Sequence, residues 1–209
     1  MDSNAGAERG ADGRADSTAD PAYAERLRRL EQRGLRRFVD VQAPYRWNLR
    51  RLQLGRVLDI GCGLGRNLAH LGTDSVGVDH NADSVRIARD RGFTAMTVAE
   101  FTSSPLAVRG AFDCLLFAHV LEHMDRDAGI SLIETYLPYL RPAGRVCMIT
   151  PQERGYTSDS THVHYIDLDD LREIAHDLRL TVERAYSFPL PSVFGRIFTY
   201  NEFVLVAAR

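Results

Sequence analysis

The sequence predicts an α/β domain: a doubly wound sheet, mostly parallel, with a C-terminal antiparallel hairpin strand and helices on both faces. Three observations lead there. The segment VLDIGCGLGRNL, residues 57–68, passes from a short apolar run through a glycine-rich turn into helical spacing. Strand-like and helix-like stretches then alternate to about residue 178, the pattern of βαβ crossovers. Two strand-like runs, 180–187 and 200–208, close the chain with no helix between them, and strands joined in that way pair antiparallel.

Taken in order, residues 1–20 (MDSNAGAERGADGRADSTAD) hold almost nothing that could enter a core and are expected to be a disordered tail. Residues 21–53 are expected to form a helical cover. Its first part, 22 to about 34, is charged and helical in pattern, with Leu27 and Leu30 on one side; its second, Tyr45 to Leu52, carries Tyr45, Trp47 and Leu49. The domain proper spans 54–209. Strands are expected at 56–60, 75–79, 94–98, 112–117, 145–149, 180–187 and 200–208. Helices are expected near 65–72, where Leu64, Leu68 and Leu71 recur at helical spacing, and near 82–91, 128–140 and 168–178.

With 209 residues, 44% of them hydrophobic, the chain can bury one full core. No apolar stretch reaches the roughly 18 residues of a membrane span, and the N-terminus lacks a signal-peptide apolar core, so a soluble, cytoplasmic protein is expected. Cys62, Cys114 and Cys147 lie in or beside core strands without CxxC spacing and read as buried thiols. The net charge of −2 argues against a nucleic-acid partner. The chain has no lysine, which excludes an amine nucleophile. Nine arginines stand against three acids in residues 22–51; a solvated helical face and a surface attracting an anionic substrate both remain open.

The chemistry concentrates at the glycine turn. Gly61, Gly63 and Gly65 let the backbone turn tightly and approach a ligand, and the residues after them offer unpaired N–H groups. Nucleotide-binding dehydrogenases share such a turn. Asp59 separates the readings, because a carboxylate two residues before the first glycine would repel a pyrophosphate but suits a ligand bearing an ammonium group. Asp79 ends the second strand 20 residues later, where an acid can accept hydrogen bonds from both ribose hydroxyls; capping the next helix is its other reading.

From about residue 54 to the C-terminus the chain resembles the class I S-adenosylmethionine-dependent methyltransferases, small-molecule type, close to the quinone-biosynthesis O-methyltransferase branch. The resemblance implies a Rossmann-like sheet and S-adenosyl-L-methionine as cofactor. It implies cofactor contacts from Asp59, Gly61, Cys62, Gly63, Gly65, Asn67, Asp79 and His80. TVAEF (97–101) would place Ala99, Glu100 and Phe101 at the adenine, with plain core packing the other reading of Phe101. FDCLLF followed by AHVLEHM (118–124) would bring Ala118 and His119 beside the methionine portion.

The strand ends that carry ligands in such sheets are rich in histidine: His119 and His123 after the fourth strand, His162 and His164 after the fifth. A neutral imidazole can take a proton from an attacking hydroxyl near neutral pH, and His119, His123 and His164 are the candidate catalytic residues. His119 and His123 are four apart and are expected on one face of a short helix with Glu122 beside them. With His162 or His164 added, a divalent metal site can be drawn, but no metal is assigned. Residues 151–167 are expected to form a lid. Phe188, Phe194, Phe198 and Tyr200 are expected as an acceptor wall, with core packing the other reading for at least half of them, and Tyr45 and Trp47 as an aromatic cover. The expected activity is methyl transfer to a small-molecule acceptor, at a hydroxyl oxygen. N- or C-methylation, or cofactor binding without turnover, are the alternatives. The oligomeric state and the acceptor are not legible.

Overall fold

The computed structural model describes residues 43–209; the expected tail (1–20) and the helical pattern at 22–34 lie outside the described residues. Seven strands build one sheet: β1 Val57–Ile60, β2 Val76–Asp79, β3 Ala95–Thr97, β4 Phe112–Ala118, β5 Leu140–Pro151, β6 Thr181–Phe188 and β7 Glu202–Ala208. Their order is β3-β2-β1-β4-β5-β7-β6. Neighbours from β3 to β5 pair parallel, and β7 lies antiparallel between β5 and β6. β1 lies between β2 and β4, where the winding reverses. The crevice beyond the carboxyl ends of these strands is where doubly wound sheets bind ligands.

The central strands are buried on both faces, which is why their sequences are continuous apolar runs. Leu115 and Phe117 of β4 point into one layer with Phe101, Ile133, Leu171 and Ile174. These come from α3 Val98–Ser103, α4 Arg126–Tyr136 and α5 Leu168–Asp177. Cys114 and Leu116 point into the opposite layer, against Leu49 and Leu52 of α1 Ala43–Leu52. Val85 and Ala88 of α2 Ala82–Asp90 close a smaller cluster with Cys62 and Leu68. Each fully buried Leu, Ile or Phe contributes about 1.5–3 kcal/mol. The three cysteines are buried and free. Among the described residues no helix is long and apolar enough to cross a membrane.

All seven expected strands form, and the C-terminal pair is the expected hairpin. The helix expected near 65–72 does not form. Gly61, Gly63 and Gly65 all adopt positive φ, and the chain gathers only a 3-10 turn at Leu68–His70 before Leu71 extends. The leucine spacing there is real, but a left-handed Gly65 cannot propagate a helix. The third strand also stops earlier than expected. Thr97 accepts from the Glu100 backbone N–H while the Glu100 carboxylate accepts from the Thr97 N–H, a capping box that opens α3. The T-x-x-E spacing was its local signal.

Candidate active site

At the end of β1 the chain reverses over β2. The amides of Gly61 and Cys62 both donate to the Val78 carbonyl. Gly61 has φ +71°, and a Cβ built there would stand 2.4 Å from Val120 Cγ2. The glycine therefore lets the loop after β4 close onto the turn after β1. Gly63 donates its amide to Asp79 Oδ2 at 2.8 Å, and Asn81 donates to Oδ1 at 2.8 Å. Asp79 thus braces the glycine turn and leaves the cap of α2 to Asn81, whose side chain accepts from Ser84.

Asp59 sits beneath this turn, fully buried, and neither carboxylate oxygen makes a well-formed hydrogen bond among the described residues, although the Asn67 side chain partly stabilises its charge. Burial pushes its carboxyl up to about 7, with Asn67 opposing and the charge of Asp79 assisting. A buried anion so weakly partnered is costly. A ligand ammonium seated against it would satisfy both oxygens.

Other expected cofactor residues are placed as follows. Cys62 and Ala118 are buried, and Gly65 is packed against Phe93. His80 is exposed, with Nδ1 3.6 Å from Asp79 Oδ1. Ala99 is exposed on the first turn of α3. The Glu100 carboxylate is committed to Arg89 at 2.7 Å, and the Arg89 hydrogen bond, with those of Thr97, holds it down at about 2. Phe101 is fully buried with its ring against Phe112, Tyr136 and Tyr139; it is a core residue.

The loop after β4 departs from the expected helix. His119 takes φ +59° and Val120 φ −126°, so only Leu121–His123 forms a 3-10 turn. The rings of His119 and His123 consequently meet different partners. His119 Nε2 lies 2.7 Å from Glu202 Oε1 at the start of β7, and Nδ1 lies 3.3 Å from Glu122 Oε1. Burial by itself would lower the imidazole pKa. The charge of Glu202, its hydrogen bond and the adjoining Glu122 outweigh that and raise it to about 10. His119 is therefore an imidazolium at neutral pH, which opposes the expected role as a base. His123 instead turns Nδ1 to the carbonyl and hydroxyl of Thr161, and burial lowers its pKa. His162 packs on His123 and Tyr156 and directs Nδ1 to the Tyr156 carbonyl at 2.7 Å. The strap from 157 to 167 is fastened to the LEH turn by the amides of Val163 and His164, both donating to the Glu122 carbonyl.

Glu202 escaped sequence reading. Its support is a buried polar knot: Gln152 donates to the Glu202 carbonyl and to Ser187, and Asn201 donates to Gln152 Oε1. A polar Asn-Glu pair directly before the apolar run FVLV was the available signal. At the rim, Tyr45 donates its hydroxyl to the Tyr200 carbonyl. Trp47 stacks on Phe188 with Arg51 over its other face. Phe188 is buried, whereas Phe194 and Tyr200 are exposed. Ala43, Arg46, Trp47, Arg50 and Arg51 line an open groove of about 550 Å³ outside the site.

A family model described as a methyltransferase domain matches residues 23–185. Two ubiquinone biosynthesis O-methyltransferases are each 35% identical: one from Chelativorans sp. (strain BNC1) over 103 residues, 46% of this chain, and one from Azorhizobium caulinodans over 111 residues, 50% of this chain. The matched part spans 40% of the length of each of these relatives. Among solved structures, a SAM-dependent methyltransferase from Archaeoglobus fulgidus superimposes with a TM-score of 0.65 at 20% identity, covering 91% of this chain and all of the other. The magnesium protoporphyrin IX methyltransferase from Synechocystis PCC 6803, with bound SAH, gives 0.63 at 21% identity, over 93% of this chain and 97% of the other.

Proposed function

This chain belongs to the methyltransferase domain family, and from that premise we propose that it transfers the methyl group of S-adenosyl-L-methionine to a hydroxyl oxygen of a small-molecule acceptor. One observation carries the cofactor assignment: the buried Asp59 carboxylate, with no well-formed hydrogen bond among the described residues, under a turn whose glycines leave the backbone open. The donor set fits the group. Asp59 takes the ammonium, Gly61, Gly63 and Gly65 allow close approach, and Asp79, already oriented by two amides, accepts from the ribose hydroxyls. His80 and Asn67 border the same turn. Ala99 on the first turn of α3 meets the adenine edge, with Glu100 held aside by Arg89.

When bound, the cofactor supplies a sulfonium methyl that a nucleophilic oxygen attacks in line, the O–C bond forming as the carbon–sulfur electron pair leaves with sulfur. The protein's part is alignment and proton removal. His119, as an imidazolium, holds Glu122 and Glu202 in place. The hydroxyl proton passes to His164, which stands on the strap beside the LEH turn with its ring hydrogen-bonded to no described residue. The likeness to ubiquinone biosynthesis O-methyltransferases supports oxygen as the target and a small molecule, not a nucleic acid, as the acceptor. We place the reaction in the cytoplasm.

The test is titration calorimetry with S-adenosylmethionine and S-adenosylhomocysteine. Micromolar binding, roughly −8 kcal/mol, is expected, weakened by about 1.5–3 kcal/mol in Asp79→Ala through lost charge-assisted hydrogen bonds. Tight NADH binding would overturn the assignment. With an acceptor in hand, His164→Ala should lower turnover about 10²–10⁴-fold at nearly unchanged cofactor affinity.

A further inference from the structure

Arginines on α2, α4 and α5 pair with acids: Arg86 with Asp83 and Asp90, Arg126 with Asp177, and Arg172 with Asp169. The helix α1, APYRWNLRRL, contains no acid, and the guanidinium groups of Arg50 and Arg51 meet no carboxylate among the described residues. Arg46 and Arg50 stand one turn apart, where like charges repel. The end of a helix attracts cations through its unpaired carbonyls. Here Arg145 already serves that end, donating to the carbonyls of Leu52 and Gln53. The fold of α1 does not account for this concentration of charge.

Arg51 is also fixed in place. Its guanidinium lies 4.6 Å from the Trp47 ring centroid and 5.5 Å from that of Tyr186, and Nη2 donates to Asn48 Oδ1 at 3.3 Å. Asn48 is buried and accepts the Tyr186 hydroxyl on the same oxygen at 2.7 Å. All of these supports are neutral. They orient the planar fork without neutralising it, so the ordering that an anion would otherwise impose is met in advance. Around it, Ala43, Arg46, Trp47, Arg50 and Arg51 line the groove of about 550 Å³, a size that suits a small molecule.

We propose that this groove binds the phosphate groups of a small ligand, with Arg51 as the fixed fork and Arg50 as the second cation. A phosphate offers oxygens to more than one guanidinium, whereas a single fork fills a carboxylate. Both faces of Trp47 are taken, one by Phe188 and the other by Arg51. The ring is therefore a post and not a platform for stacking bases, which opposes a single-stranded nucleic acid as the ligand. A groove also admits a phosphate ester where the flat surface of a bilayer would touch only its edges. The site lies outside the crevice at the strand ends, and nothing in it rests on the methyl-transfer reading. Phe188 connects the two, with its ring against Trp47 and against Tyr45.

The experiment titrates the full chain with sodium pyrophosphate at constant ionic strength, followed by calorimetry and by the fluorescence of Trp47, the chain's one tryptophan. One equivalent per chain is expected, with a saturable fluorescence change and the same stoichiometry in the presence of S-adenosylhomocysteine. Affinity should fall at least about tenfold in Arg51→Gln and in Arg50→Gln. It should stay unchanged in Arg86→Gln, which alters an arginine paired within α2. Should Arg51→Gln fail to fold, Arg50→Gln decides the matter. Phosphatidylglycerol vesicles and a poly-dT oligonucleotide are tested in parallel, and binding to either without binding to pyrophosphate overturns the proposal. Absence of saturable binding, or wild-type affinity in the Arg50 and Arg51 variants, overturns it as well. So does displacement of pyrophosphate by S-adenosylhomocysteine, which would place the anion at the glycine turn.

Discussion

His119 Nε2 and Glu202 Oε1 meet at 2.7 Å although 83 residues separate them in the chain. The contact joins the loop after β4 to the first residue of β7, the reversed strand, and fixes a positive charge at the crevice floor.

The raised pKa of His119 makes this contact a pH-dependent source of stability. Its folded value of about 10 exceeds the ordinary 6.5, so the folded state binds the proton more tightly. The contribution is complete below pH 6.5 and is lost as pH rises through about 10. Urea unfolding of the wild type minus that of His119→Gln should shrink by about 1–3 kcal/mol across that window. A difference independent of pH would show that the ring is not held as an imidazolium.

Asp59→Asn should separate stability from binding. The carboxyl titrates near 7 in the folded protein against an ordinary 3.8, so the wild type loses stability as pH climbs through that interval. The amide removes this loss, and the variant should be more stable by about 2–4 kcal/mol above pH 7 and little changed near pH 4. Its affinity for S-adenosylhomocysteine should fall at least about tenfold for want of the charged partner. A variant equal to the wild type in both respects would leave Asp59 without the role assigned to it.

Gly61 and Val120 should be energetically coupled. Gly61→Ala places a methyl at φ +71° and against Val120 Cγ2, which strains the turn and costs about 1–3 kcal/mol. Val120→Ala in the same chain should recover the steric part but not the backbone part. Additive effects in the double-mutant cycle would mean that the two loops adjust independently.

Trp47 is the chain's single tryptophan, 55% exposed and stacked on Phe188. Phe188 in turn borders Tyr45, whose hydroxyl reaches the Tyr200 carbonyl at the rim. Ligand binding in the crevice should therefore change its fluorescence, and Tyr45→Phe should reduce that change. An unaltered spectrum at saturating cofactor would show that α1 does not respond to the site.

Much of this protein is decided locally. Continuous apolar runs such as VLDI and FDCLLFA specify buried parallel strands, because both of their faces must leave water. The glycine turn with Asp59 and Asp79 is legible within 21 residues, since glycine spacing and a carboxylate near a strand end are properties of short segments. Local signals also misled: Leu64, Leu68 and Leu71 keep helical spacing, yet three left-handed glycines override it. The state of the histidines belonged to the tertiary structure. Insertion of β7 between β5 and β6 brings Glu202 to His119, and the strap's return to the LEH turn brings His162 to Glu122. A side chain's charge in a low-dielectric crevice depends on which groups lie within a few ångströms of it. That set is assembled by strand order and loop closure, over distances in sequence at which no spacing of residues carries information.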